Sequence, residues 1–97
     1  MIKVIFRKFK DNGDIIALFP QLPCNNNYYN DCESYMHIGQ HGACSIPNIE
    51  SVTSQANEQE YKDLLSELVS IGYDDLKVFK RINYVDYKAR KAACHVN

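Results

Sequence analysis

The dipeptide Asn12-Gly13 stands between two apolar runs and limits the fold more than any other feature of the chain. Both residues tolerate the positive φ of the tight turns whose twist matches a β-ribbon. Residues 2–9, carrying Ile2, Val4, Ile5 and Phe6, and residues 15–19, Ile-Ile-Ala-Leu-Phe, read as the two strands. With Asn12 and Gly13 as a two-residue turn, Lys10 faces Ile15, Phe9 faces Ile16, Arg7 faces Leu18 and Phe6 faces Phe19. Asp11 then meets Asp14, a like-charge pair that a longer loop would relieve. Pro20 has no N–H for the ladder and ends the second strand.

Residues 20–33 read as a long loop, with two prolines, three consecutive asparagines and Tyr28-Tyr29. Loops of this length in a small domain are commonly functional or disordered. A third strand is expected at 34–38, with Tyr35 and His37 on one face and Met36 and Ile38 on the other. Gly39 and Gly42 bracket Gln40-His41 and suggest a turn with unusual backbone angles. Residues 43–56 read as irregular or extended.

A helix follows. Asn57 is a good N-cap, and Glu60 sits where its carboxylate can reach back to complete a capping box. Tyr61, Leu64, Leu65 and Leu68 form one apolar stripe. Gly72 stops the helix, and Tyr73 can pack back on Leu68. A closing strand is expected over 76–82, with Leu76, Val78 and Ile82 sharing a face with Lys80, and Lys77, Phe79 and Arg81 on the other. Residues 83–97 form either a short helix started by Asn83 or a flexible tail.

The expected fold is α+β: a small antiparallel sheet built from the hairpin, the third strand and the closing strand, with one helix packed on one face. The 97 residues make a single domain, 1–97. That arrangement leaves a second sheet face, carrying Ile5, Ile16 or Leu18, open unless a partner or the tail covers it.

No segment approaches the roughly 20 apolar residues that span a bilayer. Charges interrupt the first eight residues, which is unlike a secretory signal. A cytoplasmic location and no membrane partner are expected, with Cys24, Cys32, Cys44 and Cys94 as free thiols or metal ligands. The net charge is −1, but residues 1–10 sum to +4, residues 11–76 to −10 and residues 77–97 to +5. If the two basic ends meet, Lys3, Arg7, Lys77 and Arg81 share a face with Ile5 and Phe79. Basic side chains among aromatics suit single-stranded nucleic acid. A pI near 6.3 argues against that partner, and such residues also serve a solvated sheet face.

The densest chemistry lies between residues 24 and 44. Cys32, His37, His41 and Cys44 offer donors compatible with zinc, although no Cys-x2-Cys knuckle is present. Buried thiols beside surface histidines give the same pattern without a metal. His41 and Cys44, or Cys32 and His37, also suit a thiol nucleophile with its base, but no residue is evident to orient the base. Tyr35, His37, Gln40 and His41 form a candidate binding set around the glycines, or else a hydrogen-bonded structural turn.

The runs Phe6-Arg7-Lys8-Phe9-Lys10-Asp11, Ile16-Ala17-Leu18-Phe19-Pro20, Ser34-Tyr35-Met36-His37-Ile38-Gly39-Gln40-His41-Gly42, Tyr61-Lys62-Asp63-Leu64-Leu65 and Ser70-Ile71-Gly72-Tyr73-Asp74 add a further pointer. Together, over residues 5–82, they resemble a family of short uncharacterised bacterial proteins associated with phages and mobile elements. The resemblance implies no activity, cofactor or catalytic residue. It implies a small accessory protein that binds a host or element-encoded macromolecule. The open apolar sheet face, rimmed by charge, makes the leading expectation a non-enzymatic protein-interaction module, or one that self-associates, without a cofactor. The alternatives are nucleic-acid binding through the basic ends and a zinc-supported or thiol site.

Overall fold

The first strand, β1 (Ile2–Phe9), runs through the middle of the sheet and is lined on both edges. A computed structural model describes residues 1–23, 31–37 and 40–94, with Gln40 and Cys94 described by backbone alone. Strand β2 (Ile15–Phe19) pairs with one edge of β1, and β3 (Asp31–Met36) and β4 (Gln40–Ser45) extend the sheet beyond it, all antiparallel. The opposite edge of β1 is shared. Its C-terminal half pairs antiparallel with β5 (Thr53–Gln55), and its N-terminal half pairs parallel with β6 (Leu76–Val78). Among the described residues, three helices complete the fold: α1 (Ile46–Val52), α2 (Glu58–Ser70) and α3 (Tyr84–Cys94). The domain is α+β, as the sequence implies.

Side-chain alternation divides the core into two layers. Val4, Phe6, Ala17, Phe19 and Tyr35 face one way and pack with Leu64 and Leu68 of α2. Ile5, Ile16, Leu18, Cys32 and Cys44 face the other way and pack with Ile46 and Ile49 of α1. Phe79 and Ile82 close the same layer. The expected open face is therefore absent: Ile5, Ile16 and Leu18 are 1%, 4% and 0% exposed. The covering comes from residues 43–56, which form the end of β4, α1 and β5 instead of irregular chain. Pro47 suits the first turn of α1, where its missing N–H costs nothing.

The hairpin register also differs from the two-residue-turn expectation. Phe9 N–H donates to the Asp14 carbonyl at 2.8 Å, and Gly13 N–H donates to the Phe9 carbonyl at 2.9 Å. The connection is thus longer, with Gly13 at φ +79°, and Arg7 faces Ile16 rather than Leu18. A shift of two residues keeps every side chain on its expected face. It also separates Asp11 from Asp14, which removes the like-charge pairing.

The third strand begins at Asp31, earlier than expected, so residues 31–33 leave the long loop. Residues 24–30, with Cys24, Tyr28 and Tyr29, lie outside the described residues, as do Ile38 and Gly39. Gln40 and His41 open β4 rather than forming a turn, and Gly42 has no left-handed backbone angle. A strand rather than a turn forms there because β3 supplies a continuous ladder of partners from Asp31 to Met36.

Both long helices start with reciprocal caps. Asn57 Oδ1 accepts from Glu60 N–H at 2.9 Å, while Glu60 Oε1 accepts from Asn57 N–H at 3.0 Å. Asn83 starts α3 in the same way: its Oδ1 accepts from Asp86 N–H at 3.3 Å, and Asp86 Oδ2 accepts from Asn83 N–H at 3.0 Å. The closing strand stops at Val78, because the chain turns away from β1 after Phe79 N–H donates to the Val4 carbonyl. Residues 84–94 of the tail are helical, and residues 95–97 lie outside the described residues.

Candidate functional site

Tyr35 lies in the layer facing α2, and its phenol reaches the last turns of that helix. The Tyr35 hydroxyl donates to Glu67 Oε2, and His37 Nδ1 meets Glu67 Oε1. Tyr35 is 1% exposed, whereas the His37 side chain is 75% exposed. His41 stands opposite Tyr35 on β4 and sets its ring edge-on to the phenol, 4.7 Å between centroids. The Tyr73 hydroxyl lies 3.5 Å from His41 Nε2. Gly72, at φ +121°, turns the chain so that Tyr73 returns over the sheet and stacks on Phe19 at 5.1 Å.

The expected binding set is thus partly assembled. Tyr35, His37 and His41 converge around Glu67 and Tyr73, two residues the sequence reading did not nominate. The side chain of Gln40 lies outside the described residues. A signal for Glu67 was present: Glu60, Asp63 and Glu67 recur at helical spacing and form an acidic stripe beside the leucines.

That stripe lines a groove of about 570 Å³ between α2 and the hairpin end. Asp14, Ile15, Met36, His37, Asp63 and Glu67 contribute to its walls. Glu60 also borders it and pairs with Lys8. The Glu60 carboxyl is held below its ordinary range by the Asn57 N–H and then by Lys8. Glu67 has one oxygen held by a phenol and the other by an imidazole, so its carboxyl is fixed in place. The groove is equipped to attract cations.

The proposed zinc set does not converge. Cys32 and Cys44 oppose one another across β3 and β4 and point into the layer beneath α1. Tyr35 and His41 oppose one another on the other face, with His37 beyond them. The pleat alternates side chains, so His41 and Cys44, three positions apart on one strand, must face opposite ways. The same rule separates His41 from Cys44 as base and nucleophile. Among the described residues, no group of three or more His, Cys, Asp or Glu side chains is placed to hold a metal ion.

The basic ends do meet, because β6 pairs with β1, but their lysines and arginines do different work. Lys3 is 4% exposed, with Nζ 2.7 Å from Asp86 Oδ2. Arg7 Nε donates to Thr53 Oγ1 at 3.0 Å, and its Nη2 donates to the Thr53 carbonyl at 2.9 Å and the Glu50 carbonyl at 3.3 Å. These two residues bind the fold together, Lys3 from a buried position and Arg7 from a half-buried one. Lys77 and Arg81 are exposed, and Lys77 lies 5.9 Å from the centre of the Phe79 ring.

Among the described residues, no helix is long and apolar enough to cross a membrane. Compared with protein-family models, curated proteins and solved structures, the chain matches none.

Proposed function

We propose that this chain is a small non-enzymatic accessory module that binds a protein partner through a basic segment laid in the groove between α2 and the hairpin end. The observation that carries this reading is the fixed Glu67 carboxylate, flanked along the groove by Asp63 and Asp14. A lysine or arginine side chain complements that charge. His37 and Tyr35 fix Glu67 before a partner arrives, so little ordering is left to offset binding. The resemblance to short uncharacterised bacterial proteins associated with phages and mobile elements, which implies an accessory role, is in keeping with this reading. Ile5, Ile16 and Leu18 lie buried beside α1, so this reading puts the partner surface at the groove rather than on that sheet face.

Titration with an oligolysine peptide, followed by NMR, tests the reading. Shifts should concentrate at Asp14, His37, Asp63 and Glu67 and weaken with added salt. Glu67→Gln and Asp63→Asn should each reduce affinity several-fold. Shifts spread over the whole surface, or unchanged affinity in both variants, would sink the reading.

A further inference from the structure

We infer that Cys32 and Cys44 form a thiol–disulfide exchange site that takes a low-molecular-weight disulfide as its substrate and closes into a cross-strand disulfide. The site is independent of the acidic groove, being on the opposite face of the sheet.

Three observations lead there. First, the two residues are direct partners in the β3–β4 register. Directly opposed residues of an antiparallel pair stand about 4.5–5.5 Å apart at Cα, within the span that an S–S bond bridges. Second, both thiols are reduced and lie in one apolar layer, where Cys32 is 0% exposed and Cys44 9% exposed. Third, Cys44 lines an open groove of about 370 Å³ with Ser34, Gly42, Asn48 and Ile49, so one sulfur of the pair is approachable and the other is sheltered behind it. That division matches an attacking and a resolving thiol. The Cys32 hydrogen bond holds the Cys44 thiol below its ordinary range, opposed by burial and by the charge of Asp31. A depressed thiol supplies more thiolate at neutral pH.

The exchange balances without any further reactant. The Cys44 thiolate attacks one sulfur of the small disulfide, forms a mixed disulfide and releases one thiolate, which takes up the proton Cys44 gave to water. Cys32 loses its proton, and its thiolate attacks Cys44 Sγ and expels the second small thiol. Two protein thiols are oxidised by two electrons, and the small disulfide is reduced to two thiols. The product ties the outer strand β4 to β3.

The test uses Cys24→Ser/Cys94→Ser protein incubated with glutathione disulfide and followed by intact mass and alkylation. The expected product has lost two hydrogens, carries no glutathione, resists alkylation and returns to two thiols with dithiothreitol. Its melting temperature should rise by about 10 °C, as for a short closed loop in a domain of this size. With Cys32→Ala added, Cys44 should keep one glutathione. Peptide mapping of the oxidised unsubstituted chain should find the Cys32–Cys44 bridge, which guards against a folding defect in the variants. A stable glutathione adduct on Cys44 while Cys32 is present, or reaction only after denaturation, would overturn the inference.

Discussion

Lys3 Nζ lies 2.7 Å from Asp86 Oδ2 across eighty-three residues of chain, with both side chains almost fully buried. Asp86 is also the third residue of α3 and closes its capping box with Asn83. One carboxylate therefore starts a helix and fastens it to the central strand. The same device recurs on the other face, where Glu60 caps α2 with Asn57 and pairs with Lys8 of β1. Lys3 and Lys8 differ in parity along β1, so each helix is fastened to its own side of the sheet.

Removing one member of the buried pair should be costly. Lys3→Met leaves Asp86 buried without its counter-charge, at about 3–5 kcal/mol. Lys3→Met/Asp86→Leu should recover much of that loss, less about 1 kcal/mol for the missing cap. Urea unfolding of the three proteins measures both. Wild-type stability in Lys3→Met would contradict the assignment.

Acid should weaken this attachment. Burial alone would raise the Asp86 carboxyl, but hydrogen bonds from Lys3, the Asn83 N–H and Gln21, with the Lys3 charge, outweigh it and hold the group below its ordinary range. A carboxyl depressed by folding stabilises the protein above its unfolded value, about 3.9 for Asp. That stability is lost as pH falls through the lower folded value. Urea midpoints should therefore fall more steeply on acidification in the wild type than in Asp86→Asn. Parallel profiles would show that the pair carries no linkage.

Within α2, position decides the cost of truncation. Leu68 is fully buried, and Leu68→Ala should destabilise by about 2–5 kcal/mol. The neighbouring Val69 is 54% exposed, and Val69→Ala should stay within about 0.5 kcal/mol. Thermal unfolding of both variants would separate them clearly, and equal effects would place Leu68 outside the core.

The cap of α2 provides a milder test. Asn57→Ala should cost about 0.5–2 kcal/mol, since it removes the side-chain oxygen that accepts from Glu60 N–H and leaves only the longer bond to the residue 57 carbonyl. Glu60→Gln should cost less, because glutamine keeps an oxygen for the Asn57 N–H and loses only the Lys8 charge pairing. Helicity and unfolding midpoints check the order of the two.

Much of the framework was legible because its signals are local. Asn12-Gly13 marks the hairpin, Asn57 and Glu60 mark the start of α2, Gly72 marks its end, and Asn83 marks the start of α3. Each works through the backbone within a few residues of itself, and each is found in place. The site was half legible: Tyr35, His37 and His41 were nominated, and the acidic spacing of α2 contained Glu67 without assigning it a role.

The sequence by itself determined which segments become strands and helices wherever periodicity or a cap dictates the choice. It also determined that alternate residues of β1 go to opposite faces. Only the tertiary structure decided what each face meets. Residues 43–56 carry no strong period, and their strand, helix and short strand form because β3, the sheet face and β1 supply partners. Tertiary pairing likewise buried Lys3 against Asp86, placed Cys32 opposite Cys44, and set His37 and His41 on the far side of the sheet. Those outcomes depend on register and on contacts between distant residues, whose energies exist only once the chain has closed its long loops.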